Sequence, residues 1–256
     1  MTTTPTFNSW VTCPKPNPQA KVRLFCFPYA GGGASAFRTW ANSLPNTVEV
    51  CPVELPGRGR QIKSVLFTQL KPLVSAIASI LIPYLDKPFA FYGHSMGGLI
   101  SFELTRLLRS EYGLTPFHLF ISGRRAPQLP PTKPPIHALS EPELLAELRR
   151  FDGTPNAVLE DPELLQLFLP ILRADFAVVD TYVYNHEPPL DCPISVFGGL
   201  QDQEATHDDL QAWLEQTTAS FSLQMLNGGH FFINSEQAVL LENITQELQT
   251  GLASLV

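Results

Sequence analysis

The chain has 256 residues, the length of one large α/β domain with room for an insertion. At 44% hydrophobic and 16% charged residues it can fill a core, which excludes wholesale disorder. Its net charge of −7 argues against nucleic acid or an anionic membrane as a partner.

Met1-Thr2-Thr3-Thr4-Pro5 has neither a basic nor an apolar region, so no signal peptide is expected. No apolar run is long enough to span a bilayer. Residues up to about Pro18 are polar and proline-containing, and are expected to form a loose lead-in. Val22 to Phe27 is an apolar strand running into the glycine-rich loop Pro28-Tyr29-Ala30-Gly31-Gly32-Gly33-Ala34, then a helix through Phe37 and Trp40. The loop lacks the Gly-Lys-Ser/Thr ending of a P-loop and the G-x-G-x-x-G of a dinucleotide site, so no cofactor is expected there. Val48 to Val53 is a second strand. After it, Arg58 and Arg60 are expected to be solvated, to pair with Glu54, or to charge the mouth of a site. Leu66 to Leu85 has helical apolar spacing. The four cysteines, Cys13, Cys26, Cys51 and Cys192, are scattered without a C-x-x-C pair. Cys26 and Cys51 fall in strand-like runs, so buried thiols in a reduced, cytoplasmic protein are expected.

The most informative stretch is Phe91-Tyr92-Gly93-His94-Ser95-Met96-Gly97-Gly98. It holds a G-x-S-x-G pattern between an apolar strand, Pro88 to Tyr92, and a helix from Leu99. This is the context of a nucleophile elbow, a sharp strand-to-helix turn that exposes a serine hydroxyl beside free helix N–H groups. His118 to Ser122 is the next strand. Gln128 to Pro135 then carries four prolines and cannot be regular structure. Ser140 to Glu143 forms a capping box for a helix with Leu144, Leu145 and Leu148. Asp161-Pro162 opens another, which Pro170 is expected to kink or divide before it continues to Tyr184. The helical stretch over roughly 127–186 interrupts the strand–helix rhythm and is expected to be a lid. The rhythm resumes with strands at Pro193 to Phe197 and Phe221 to Leu226. Helices follow over Thr206 to Leu214 and about Glu236 to Leu252.

Alternating strands and helices imply a mostly parallel, doubly wound sheet with its site at the carboxyl ends of the strands. Ser95, Asp202 and His230 all fall at such ends. A serine hydroxyl needs an imidazole to take its proton, and the imidazole needs an acceptor to fix its tautomer. The order Ser…Asp…His is that of the α/β-hydrolase fold. His230 is preferred over His94, His118, His137, His186 and His207, and Asp202 over Asp191, Asp208 and Asp209, from their places in the predicted elements. Two N–H donors are required for an oxyanion hole. Met96 would give one, and the Tyr29–Gly31 stretch, with Ala30 as the choice, the other. His207 beside Asp208 and Asp209 lacks a second histidine at helical spacing, so no metal is expected.

Five motifs together resemble the type II thioesterases, the editing thioesterases of polyketide and non-ribosomal peptide synthesis. They are Phe27-Pro28-Tyr29-Ala30-Gly31-Gly32, Leu55-Pro56-Gly57-Arg58, Gly93 to Gly98 with Phe102-Glu103, Ser122-Gly123-Arg124 with Ala126-Pro127, and Gly228-Gly229-His230-Phe231-Phe232. The resemblance covers nearly the whole chain from about Arg23. It implies an α/β-hydrolase fold, a Ser95–Asp202–His230 triad, an oxyanion hole at Met96 and Ala30, and a lid. It also implies hydrolysis of acyl groups held as thioesters on the phosphopantetheine arm of an acyl or peptidyl carrier protein. A small-molecule esterase or lipase with the same triad is the alternative. The resemblance also implies a generally acidic carrier, so docking to this net acidic chain would need a local patch, with Arg124, Arg125, Lys133, Arg149 and Arg150 as candidates. The sequence leaves the oligomeric state open, with a monomer as the working expectation.

Overall fold

The computed structural model describes residues 8–151, 153–154 and 156–253. Six strands form one sheet: β1 (Val22–Phe27), β2 (Val48–Pro52), β3 (Phe89–His94), β4 (His118–Ser122), β5 (Ile194–Gly199) and β6 (Phe221–Leu226). Their order is β2-β1-β3-β4-β5-β6 and every pairing is parallel. Nine helices are described: α1 (Trp40–Ser43), α2 (Leu70–Leu81), α3 (Met96–Tyr112), α4 (Glu141–Phe151), α5 (Asn156–Leu159), α6 (Pro162–Asp180), α7 (His207–Gln211), α8 (Phe232–Ser235) and α9 (Gln237–Ala253).

The strands read as near-continuous apolar runs because both faces of the sheet are covered. Phe25 and Phe27 of β1, with Phe89 and Phe91 of β3, point to the side holding α2 and α3. Leu24 and Cys26, with Ala90 and Tyr92, point to the side holding α1 and α9. This period of two divides the protein into two cores, one on each face. The sheet is doubly wound, as expected. The chain leaves β1 for the β2 edge, then returns to place β3 on the other side of β1. The loops after β1 and β3 therefore open side by side at the point where the winding reverses, which is where such sheets hold their sites.

Between β4 and β5 the chain builds a separate helical layer from α4, α5 and α6, with a small core of Leu144, Leu148, Leu159 and Leu172. Glu143 accepts from the Ser140 N–H and hydroxyl, and Asp161 accepts from the Glu163 and Leu164 N–H groups, so both helix starts are capped as expected. Asp180 ties the proline-rich stretch to the end of α6 by accepting from the Ile136 and His137 N–H groups.

Several expectations are corrected. The lead-in is not loose from Asn8 onward: Val11 is fully buried and bridges Val53 antiparallel, and the Thr12 N–H bonds the Pro52 carbonyl. It shields the edge of the sheet at β2. Helix α2 starts at Leu70 rather than Leu66, which puts Pro72 in the first turn, where its missing N–H costs nothing. The segment after the glycine-rich loop is a 3₁₀ turn, Ala34–Phe37, and a separate α1. Pro170 does not divide α6, which is one helix ending at Asp180. Pro170 and Gln166, whose carbonyl loses its helical partner, both lie on the exposed side, so water can satisfy that carbonyl.

Candidate active site

Ser95 ends β3 and opens α3 with φ 53°, ψ −113°. Among the described residues it is the sole non-glycine with positive φ. Such a conformation is strained and persists only where the surroundings impose it. Here they do. A Cβ on Gly93 would overlap the Gly97 carbonyl, and one on Gly97 would overlap the Phe27 carbonyl of β1. The two glycines let the turn close on itself and on the neighbouring strand. The Ser95 N–H is anchored to the Ser122 carbonyl at 2.7 Å. No acceptor is found among the described residues for the Met96 N–H at the first position of α3, a helix end that favours negative charge.

Asp202 follows β5 and His230 follows β6, on loops joined by the Gln201 side chain to the Gly228 N–H and by the Gln201 N–H to the Gly228 carbonyl. His230 Nδ1 lies 2.8 Å from Asp202 Oδ2, and the Asp202 side chain is wholly buried. A carboxylate can only accept, so Nδ1 carries the proton and donates it. That leaves the lone pair on Nε2. The other Asp202 oxygen accepts from the Glu204 N–H. Both of its oxygens are thus held.

The rival residues lie elsewhere. Asp208 is fully exposed, and Asp209 caps α7 and pairs with Arg125. His118 is buried against the Ser195 hydroxyl, and His137 bonds Asp180. His94 packs beneath His230, with ring centroids 5.3 Å apart. Burial, and then the neighbouring His230, hold its pKa well below the ordinary histidine value, so it stays neutral. Among the described residues no group of His, Cys, Asp and Glu could hold a metal ion.

Ser95, Met96, His230 and Ala30 line one cavity of about 570 Å³, walled on the insertion side by Phe151 and Phe176. In the loop after β1 the Gly31 N–H donates to Asp175 and the Gly32 N–H to the Tyr29 carbonyl. No acceptor is found among the described residues for the Ala30 N–H.

Two features were not read from the sequence. Arg58 is neither solvated nor paired with Glu54: it is buried and forms a two-pronged pair with Asp175 of α6. Glu54 accepts from the Ala34 N–H instead. Arg124 faces the cavity with a buried Nε that has no hydrogen-bond partner. Its desolvation lowers its pKa to about 10. The other proposed surface cations differ from it. Arg125 pairs with Asp209, Lys133 and Arg150 share Glu204, and Arg149 is exposed.

The model of the thioesterase domain family matches residues 22–248. The chain belongs to the thioesterase family. The gramicidin S biosynthesis protein GrsT of Aneurinibacillus migulanus is 45% identical to this thioesterase over 246 residues, 96% of each chain. The RedJ thioesterase of the prodiginine pathway in Streptomyces coelicolor superposes with a TM-score of 0.85 at 39% identity, covering 89% of this chain and 91% of its own. The type II thioesterase BorB of the borrelidin cluster gives a TM-score of 0.87 at 34% identity, covering 95% and 99%. The thioesterase thus has the fold of the type II enzymes and is a hydrolase acting on thioesters. None of its described helices is long and apolar enough to cross a membrane.

Proposed function

We propose that this thioesterase removes acyl groups from the phosphopantetheine arm of acyl or peptidyl carrier proteins, in the cytoplasm, through Ser95, His230 and Asp202. The observation that carries the reading is the strained Ser95 sharing one cavity with a histidine whose Nδ1 is bonded to a buried carboxylate. His230 Nε2 takes the Ser95 proton as Oγ attacks the thioester carbonyl. The tetrahedral oxyanion is held by the Met96 and Ala30 N–H groups. Collapse breaks the C–S bond, and the imidazolium returns its proton to the departing thiolate. A water molecule, deprotonated by the same imidazole, then attacks the acyl-serine ester; the C–Oγ bond breaks, the imidazolium returns the proton to Ser95 Oγ, and the acid leaves. No metal or organic cofactor takes part in these steps.

The whole chain, 1–256, acts in this reading as one hydrolase domain whose insertion over 127–186 is a lid. The gramicidin, prodiginine and borrelidin origins of the relatives support a carrier-bound substrate. The test is hydrolysis of an acyl-carrier protein, the matching acyl-CoA and a p-nitrophenyl ester by the purified protein. Preference for the carrier supports the reading, whereas preference for the small ester favours a small-molecule esterase.

Docking of an acidic carrier to an enzyme of net charge −7 rests on local cations, of which Lys133 lines the cavity and is exposed and Arg149 and Arg150 are exposed on the insertion. Arg124 belongs to the cavity, so its reversal acts differently from that of a docking residue. Arg124→Glu is expected to lower kcat/KM at least tenfold on both carrier and p-nitrophenyl ester, because it puts an unpaired, desolvated carboxylate into the cavity that Ser95 and His230 also line. Steady-state kinetics on the two substrates check this. A defect confined to the carrier would return Arg124 to the docking surface.

A further inference from the structure

The carboxylate of Asp175 joins three segments that are far apart in sequence. Its Oδ2 accepts from the Gly31 N–H at 2.8 Å and from Arg58 Nη1 at 2.7 Å, and its Oδ1 accepts from Arg58 Nη2 at 2.8 Å. Arg58 Nη1 also donates to the Gly32 carbonyl at 2.8 Å, and its Nε and Nη2 donate to the Pro56 carbonyl. Both side chains are less than a tenth exposed. Helix α6 of the insertion is thereby fastened to the loop after β1 and to the loop after β2. The packing repeats the link. A Cβ on Gly31, whose φ is +77°, would lie 2.6 Å from Leu172 Cδ2, one turn before Asp175 on the same helix.

The loop after β1 carries the Ala30 N–H. Its two following N–H groups are both engaged, one by Asp175 of the insertion. A glycine-rich loop has little stiffness of its own, so its shape is set by what holds it. We infer that Asp175 is a positioning residue for the oxyanion hole, and that the second donor is in place only while α6 is seated on Arg58 and the glycine loop. The inference rests on the proposed serine mechanism. Seating of the lid and competence for acyl transfer are then one event: a lifted α6 gives up the Gly31 bond and frees the loop. A misplaced donor weakens the interaction made by the tetrahedral species and leaves binding of the ground-state ester alone.

The experiment compares wild type, Ser95→Ala, Asp175→Asn and Asp175→Glu on a p-nitrophenyl ester. It also measures inhibition by a trifluoromethyl ketone, which adds the serine hydroxyl to give a tetrahedral oxyanion, and by the product carboxylic acid. The expected result for the Asp175 variants is a kcat lower by roughly 10- to 100-fold, because the donor is displaced rather than removed and outright loss of one donor costs about 100- to 1000-fold, with KM within about threefold of wild type. Ketone affinity should fall by a similar factor while acid affinity stays. Asparagine leaves the buried Arg58 charge unpaired and can prevent folding. Asp175→Glu keeps the charge pair and displaces the carboxylate, so it decides the matter in that event. A folded Asp175→Glu protein with wild-type kcat and ketone affinity would overturn the inference, as would a loss confined to KM. Failure of the serine mechanism would be visible separately, as an inactive wild type or an active Ser95→Ala protein.

Discussion

Ser95→Ala is expected to lose on the order of 10⁴-fold or more in turnover while keeping its fold. The large loss follows from the proposed mechanism, in which the variant lacks the nucleophile and His230 is left with a lone pair and no hydroxyl to deprotonate. The intact fold follows from the turn. The elbow is held by the Ser95 N–H to the Ser122 carbonyl and by close backbone approaches at Gly93 and Gly97, none of which uses the serine side chain. Alanine carries the same positive-φ strain as serine. The measurement is turnover on a thioester together with thermal unfolding, and the melting temperature should stay within a few degrees. Near-normal turnover in a protein that melts like wild type would remove Ser95 from the mechanism.

The second large effect is expected at Asp202. Asparagine is nearly isosteric, and its carbonyl can still occupy one side of the His230 contact. Its amide, however, can donate to Nδ1, which moves the imidazole proton to Nε2 and abolishes the base. A loss of about 10⁴-fold in kcat is expected for Asp202→Asn by analogy with other serine triads, again without unfolding. Asp191→Asn and Asp208→Asn serve as comparisons. Both lie on the exposed surface and away from His230, and neither should change turnover by more than about twofold. If Asp202→Asn runs at full rate while one of these fails, the acid is elsewhere.

Much of the candidate site's geometry was legible because local sterics write it into the sequence. Gly-x-Ser-x-Gly is readable since any side chain at Gly93 or Gly97 meets backbone, and a strand before and a helix after are the context that marks such a turn as an elbow. Asp202 and His230 were readable because parallel sheets present the residues that follow their strands. The Ala30 region was readable because a glycine-rich loop follows the first strand of a chain that also carries the elbow, but the engagement of Gly31 and Gly32 needed coordinates.

What was not legible depends on distant partners. Arg58 and Asp175 are 117 residues apart, and Asp175 sits on an amphipathic helix where an aspartate ordinarily faces water. The nearby Glu54 was the obvious partner by sequence, but it is spent on the Ala34 N–H. Arg124 reads as a surface charge beside Arg125. Only the fold distinguishes them, turning one into the cavity and the other onto Asp209. Pro170 reads as a helix breaker, yet it lies on the exposed side, where the carbonyl it orphans can reach solvent.

In the proposed reaction Ser95 deacylates a carrier protein. Intact-protein mass spectrometry tests it directly: an acyl-loaded carrier is incubated with catalytic amounts of the wild-type enzyme or of Ser95→Ala. Wild type is expected to return the carrier to the mass of its free phosphopantetheine form, while Ser95→Ala leaves the acyl mass in place. Persistence of the acyl mass with a wild-type sample that still cleaves a p-nitrophenyl ester would contradict the proposed reaction.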